Sequence, residues 1–379
     1  MTECEGHIVE TFDHIVVGGG AMGAATAWQL ASRGHSVALI EQFGIAHDKG
    51  SSHGAVRIFR YAYRNPMYSE LAVETLPLWR ELEAESGVQL LEQIGNVDHG
   101  VERSIREIAE SLEHLNRPYQ LLNRDQAEER WPGMKFAEHA IFSPDGGRVA
   151  ADETVRVLYR RVEELGGTIF LNLRVEDIEI LGDIATVVTA EGTFRTKSVV
   201  VAAGAWVEKL VGGTVDLPPL TVDLGQPTHF TPLPEFADEN LWPSFIHHAV
   251  EEDVKSVVSG GAYGMFTPGL GVKIGKEQTG HFVDPDNRDF SLIESWLQDT
   301  KEYAREWFPG VDVESATAVT CLFTNTPNTD FILDRQGPLT VASPCSGHGF
   351  KFVPKIGQIV ADLASGSEQT NPAWKFRKN

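Results

Sequence analysis

Three glycines and one acid supply the first chemistry in this sequence. Gly18, Gly20 and Gly23 spell G-x-G-x-x-G, and Glu41 follows 18 residues after the last of them. The first glycine permits a tight turn, the second lets backbone approach a pyrophosphate, and the third lets a helix pack closely on a strand. Glu41 is placed to accept hydrogen bonds from the two hydroxyls of a ribose, and its charge would repel a 2′-phosphate. The pattern therefore predicts a dinucleotide with an adenosine half and disfavours NADP, without choosing between NAD and FAD. Cations form the second group. Arg57 and Arg60 lie three apart behind the small-residue loop Gly50-Ser51-Ser52-His53-Gly54. They share a face if the segment is helical and straddle two if it is extended. A planar guanidinium suits a carboxylate fork. Lys273 alternates with apolar neighbours in Gly271-Val272-Lys273-Ile274-Gly275, the pattern of an inward-facing strand residue, and a buried lysine needs a reason. Lys351 sits just beyond Ser346-Gly347-His348-Gly349, where a helix start would offer free N–H groups and partial positive charge to an anion.

The elements that must hold these residues are partly readable. The apolar, β-branched run Phe12 to Val17 predicts a buried strand, followed by a helix through Leu30 and a second strand from Ser36 to Ile40. Further on, helices are expected near 69–86, 102–116, 152–165 and 291–307, and another from about 350. Strands are expected near 168–174, 184–190, 193–201, 331–333 and 339–342. Prolines at 218–219 and 227–234 mark a change of segment. There is no internal repeat.

The 379 residues carry 32 Lys plus Arg against 54 Asp plus Glu, a net charge of −22. That balance argues against nucleic acid or an anionic membrane as partner. The strongest candidate for a membrane span, Val199 to Val207, contains a glycine and is too short to cross a bilayer. The acidic N-terminus lacks the features of a signal peptide, so a cytoplasmic protein is expected; a monomer is expected as a separate reading. Cys4, Cys321 and Cys345 lack metal-ligand spacing and leave an odd count for disulfides, so no metal is expected. Gly50-Ser51-Ser52-His53-Gly54 also matches G-x-S-x-G, but a polar, turn-like segment precedes it where a hydrolase elbow needs a strand. His247 and His248 are adjacent and should point apart, toward the surface or a cleft. Asp330 and Asp334 are expected in loops of the nucleotide domain.

Three blocks carry a family resemblance: Phe12 to Gly23, Gly50 to Arg60, and Ser346-Gly347-His348-Gly349-Phe350-Lys351-Phe352. Their residues and order resemble the family of monomeric sarcosine oxidase and N-methyltryptophan oxidase. The resemblance implies an α/β fold, a glutathione-reductase-like FAD-binding domain with an inserted mixed-sheet substrate domain. Residues 11–88, 148–214 and 321–373 would form the first, and 89–147 and 215–320 the second. It implies an FAD-dependent oxidase of a secondary amine or N-methyl amino acid. Hydride passes to flavin and then to O2 as H2O2, and the imine hydrolyses to an aldehyde and an amino acid. Oxidation or dehydrogenation of a larger or cyclic amino acid, or a non-catalytic dinucleotide-binding module, remains the alternative. By the same resemblance Arg57 lies near the flavin ring, Arg60 and Lys351 hold the substrate carboxylate, and Lys273 activates oxygen. Tyr263 belongs to the active site. Met22, Ser51, His53, Val175, Gly347, His348 and Gly349 line the cofactor, and Cys321 is joined to it through sulfur. Cys345 is the competing cysteine. One departure stands out: where the family often has a histidine, this chain has Glu277, which bears on the substrate rather than the reaction class.

Overall fold

The chain's β-branched runs need cover on both faces, and they obtain it in a six-stranded sheet. The computed structural model describes residues 8–248, 261–276 and 280–376. The strand order is Thr168–Phe170, Val37–Ile40, His14–Val17, Val199–Val201, Leu339–Ser343 and Ile332–Gln336. The first five run parallel, and the last is antiparallel to its neighbour. The central strands are wholly buried, the expected state of a parallel sheet covered on both sides. Helix Ala21–Ser32 packs between helices Ala151–Glu164 and Val353–Ala364 on one face.

An eight-stranded mixed sheet forms the second layer. Its order is Val311–Ala318, Thr228–Pro232, Gly271–Lys276, Ala262–Thr267, Ser244–His248, Asn96–Gly100, His139–Ser143 and Gln120–Asn123. All neighbours are antiparallel except Ser244–His248 and Asn96–Gly100. Two smaller pieces link the layers. One is the antiparallel ribbon of Thr221–Gly225 with Cys321–Asn325. The other is a three-stranded sheet in which Val56–Phe59 pairs with Gly147–Ala150. The segment carrying Arg57 is thus extended, which decides between the two arrangements open to the arginines.

Several boundaries move, each for a local reason. The run Phe12 to Val17 is two strands, broken at Asp13. Its carboxylate accepts from the amide and hydroxyl of Ser36 at 2.9 Å, turning the chain between sheets. The stretch 193–201 also divides, into Gly192–Thr196 and Val199–Val201, where the Thr196 hydroxyl donates to the Ser198 carbonyl. Strand Val175–Leu181 escaped the sequence reading because three of its exposed residues, Glu176, Asp177 and Glu179, are acidic and blur the alternation. Helix Pro66–Ser86 begins three residues early, since the Asn65 side chain accepts from the Met67 amide at 3.1 Å and caps it. A 3-10 turn, Phe350–Phe352, precedes helix Val353–Ala364. Among the described residues no helix is long and apolar enough to cross a membrane.

Candidate active site

Between the two layers lies a cavity of about 730 Å³. At one end it meets the glycine turn between strand His14–Val17 and helix Ala21–Ser32. Gly18 has φ +96°, and a Cβ there would come within 2.6 Å of the Ala202 carbonyl; one on Gly23 would come within 1.8 Å of the Gly18 carbonyl. Side chains are excluded at both positions, so backbone stays open to a ligand. Gly20 and Met22 line the same end, with Val175 opposite. Glu41 is 3% exposed. Its Oε2 accepts from the Gly19 amide at 2.7 Å, and its Oε1 accepts from the Phe43 amide at 2.8 Å and lies 3.4 Å from His47 Nε2. The carboxylate therefore shapes the glycine turn as well as facing the cavity.

The loop Ser51-Ser52-His53 folds over this end. Ser52 Oγ accepts from the Ala21 amide at 3.0 Å, a role that sequence reading overlooked in favour of Ser51. Arg57 ties the loop down: its Nη2 donates to the carbonyls of Ser51 (3.0 Å) and His53 (2.5 Å). Burial, then Arg57, lowers the His53 imidazole to about 3, so it is neutral. Ser51 Oγ and His53 Nε2 are buried and find no hydrogen-bond partner among the described residues. Both residues line the cavity.

The deep part of the cavity gathers the cations. Lys273, 8% exposed, stands on strand Gly271–Lys276 with His229 as its cross-strand partner. Burial, and after it the Arg57 guanidinium, brings the Lys273 ammonium down to about 7. Burial and then Lys273 hold His229 at about 4. Cys321 begins the linking ribbon and is 8% exposed; burial pushes its thiol up against the opposing pull of Lys273, Arg57 and Arg288. Cys345 also lines the cavity, with Ser343 Oγ 3.8 Å from its sulfur. Tyr263 faces Gly275 across its strand pair, and a Cβ on Gly275 would come within 2.7 Å of the Tyr263 hydroxyl.

Arg60 and Lys351 meet at Tyr63. The Arg60 guanidinium lies 4.4 Å above the Tyr63 ring, while Lys351 Nζ donates to the Tyr63 hydroxyl at 2.7 Å and to the His348 carbonyl at 2.9 Å. His348 stays neutral: burial, then Lys351, takes it to about 3, and its Nε2 lies 3.0 Å from the Thr329 carbonyl. Gly347 and Gly349 flank it on the cavity wall.

Among the residues assigned from the sequence to the cofactor or to catalysis, all line the cavity except Gly23, which acts behind the wall. Glu277 and Cys4 lie outside the described residues. Tyr63, His229 and Asp98, an Arg60 partner, were missed, because single residues on separate strands leave no spacing signature. The histidine pair needs correction. His247 faces neither the surface nor a cleft but stacks on His99 at 4.2 Å inside the eight-stranded layer and bonds Tyr303 at 2.9 Å. Its apolar strand, buried from Ser244 to His247, carries it inward. Asp334 likewise sits on strand Ile332–Gln336 rather than in a loop, because that strand runs on to Gln336 as the antiparallel edge of the sheet.

A glycine cradle for a dinucleotide opening onto a buried, cation-lined chamber defines the site of a dinucleotide-dependent oxidoreductase. Comparison gives the family: residues 13–363 match the family described as FAD dependent oxidoreductase, and the chain belongs to it. It is 31% identical to monomeric sarcosine oxidase of Bacillus sp. (strain NS-129), covering 97% of this chain and 96% of the relative. It is 28% identical to N-methyl-L-tryptophan oxidase of Yersinia pestis (strain Pestoides F), covering 93% and 95%. Among solved structures it is similar to the open form of NikD, an amino acid oxidase essential for nikkomycin biosynthesis. That match has 27% identity, a TM-score of 0.83 and 96% coverage of both chains. The protein is an FAD-dependent oxidoreductase. The open glycine backbone and the orphaned Ser51 Oγ and His53 Nε2 fit that cofactor.

Proposed function

We propose that this enzyme oxidises a secondary amine or N-methyl amino acid carrying a carboxylate, with dioxygen as acceptor. The observation that carries the reading is the meeting of Arg60 and Lys351 on Tyr63, in the same buried cavity as Lys273. Two cations brought together by one tyrosine make a clamp for a single carboxylate. In a dry site such a clamp fixes the amine's C–H bond in one place, which is where positioning lowers a barrier. FAD, when bound, would supply the acceptor for the two electrons of the amine's C–H bond, with dioxygen as their final acceptor. Glycine backbone at 18 and 20, loop 51–53 and the turn 347–349 would hold it. Lys273 and Arg57 contribute fixed positive charge where negative charge develops during electron transfer. Cys321 is the sulfur we assign to a covalent link with the cofactor. Neutral His53 and His348 leave that positive field to the lysines and arginines. Water hydrolyses the released imine to an aldehyde and a shorter amino acid. We take the enzyme to act as a cytoplasmic monomer, releasing hydrogen peroxide.

The test pairs an N-methyl amino acid, a cyclic amino acid and the matching amine without a carboxylate. The reading expects anaerobic bleaching of the flavin and peroxide release in air with the N-methyl acid. A protein that bleaches equally well with the carboxylate-free amine would refute the clamp, and one that releases no peroxide would refute the oxidase assignment.

A further inference from the structure

We propose that Asp98 is a positioning residue for Arg60, a carboxylate behind the cavity wall that fixes where the substrate-facing guanidinium sits. The inference rests on the reading of Arg60 as part of the carboxylate clamp. Asp98 lies on strand Asn96–Gly100 with its side chain 0% exposed. A carboxylate there must be paired or pay heavily for burial. Three donors converge on it. Asn96 Nδ2 reaches its Oδ2 at 2.5 Å, while His248 Nε2 at 2.7 Å and Arg60 Nη1 at 3.3 Å reach its Oδ1.

These donors come from different parts of the fold. Asn96 shares the strand of Asp98, and His248 ends the parallel neighbour Ser244–His248. Arg60 follows strand Val56–Phe59 of the small three-stranded sheet. Its contacts with the Ala62 carbonyl and the Tyr63 ring stay within three residues of itself and set the guanidinium relative to its own loop. Asp98 ties the guanidinium to the eight-stranded sheet, the sheet that also carries Tyr263 and Lys273. Arg60 lines the cavity while Asp98 is fully enclosed. Any effect of Asp98 on substrate therefore passes through Arg60. Held in this way, the carboxylate clamp keeps a fixed distance from the lysine assigned to oxygen, as positioning within about an ångström requires.

The experiment is a double-variant cycle on the flavin-loaded enzyme: Asp98→Asn, Arg60→Met and the two together. Each is assayed with an N-methyl amino acid and with the matching carboxylate-free amine. Asp98→Asn keeps the shape and removes the charge. It should raise KM for the acid about ten-fold, hold kcat within about three-fold, and leave the amine's kcat/KM unchanged. On the Arg60→Met background it should add less than about two-fold, because its route to substrate is gone. An equal effect in both backgrounds, an equal effect on the amine, or no change in KM overturns the proposal. If Arg60→Met itself leaves KM for the acid unchanged, the clamp reading fails and the proposal with it. A raised KM in Arg60→Met with a silent Asp98→Asn removes the proposal alone. Should Asp98→Asn not fold, His248→Ala takes its place, since that side chain is 18% exposed and only braces the carboxylate. It should raise KM about three-fold, again only when Arg60 is present, and an unchanged KM there overturns the proposal.

Discussion

Replacing Lys273 with methionine keeps the bulk of a buried side chain and deletes its charge, so it isolates the electrostatic role assigned to this residue. Lys273 is 8% exposed and titrates near 7, brought down by burial and then by Arg57. A unit charge facing a unit charge roughly 4 Å away is worth about 4 kcal/mol at an effective permittivity of about 20. Arg57 survives the substitution and retains part of that field, so the loss should fall near 3 kcal/mol, about a hundred-fold in rate. The assay separates the half-reactions: anaerobic reduction by substrate, then reoxidation by air-saturated buffer in a stopped-flow instrument. Reduction should stay within about three-fold of wild type, and reoxidation should drop about a hundred-fold. The pH dependence gives a second readout. Wild-type reoxidation should slow as pH rises above about 7 and the ammonium is lost, while the variant should be slow and flat. Equal losses in both halves, or a variant that keeps the wild-type pH profile, would refute the reasoning.

Other outcomes follow from the same geometry. The unfolded Lys273 titrates near its ordinary 10.5 and the folded one near 7, so between those values the unfolded chain binds the extra proton. Stability should therefore rise across that window by up to about 5 kcal/mol relative to Lys273→Met, read by denaturation from pH 6 to 11. Parallel curves would contradict the lowered titration of the buried lysine. Cys321→Ser should release its flavin on acid precipitation, whereas wild type stays yellow in the pellet; a yellow Cys321→Ser pellet would shift the link to Cys345. Gly23→Ala forces a Cβ to within 1.8 Å of the Gly18 carbonyl and should abolish flavin loading, measured by the visible absorption of the purified protein. Tyr63→Phe removes the acceptor of the 2.7 Å hydrogen bond from Lys351. A charged hydrogen bond of this kind is worth about 1.5–3 kcal/mol, so KM for the carboxylate-bearing substrate should rise at least about ten-fold. An unchanged KM would separate Lys351 from the clamp.

The nucleotide end of the site was legible in the chain because its geometry is local. The strand, the glycine turn, the helix and the next strand with Glu41 fall within 30 residues, and each is set by steric and hydrophobic rules that act over a few positions. The buried lysine was legible for a similar reason: alternation along Gly271–Lys276 already states which way Lys273 points. Even there, local reading blurred edges, merging two strands across Asp13 because the hydrogen bonds that break them come from Ser36, 23 residues on.

What the chain by itself determined is the inventory: a glycine turn suited to a dinucleotide, two arginines and two lysines near small-residue loops and an alternating strand, and a cysteine in an apolar segment. Only tertiary structure decided how these act together. That Tyr63 seats both Arg60 and Lys351, 288 residues apart at its far bond, follows from packing of the loop after Val56–Phe59 against the Ser346–Lys351 turn. That His229 faces Lys273 follows from the register of two strands, and a slip of one residue would turn the lysine to the other face. Convergence of single residues from distant strands is a property of sheet order and register, and linear spacing carries no record of either.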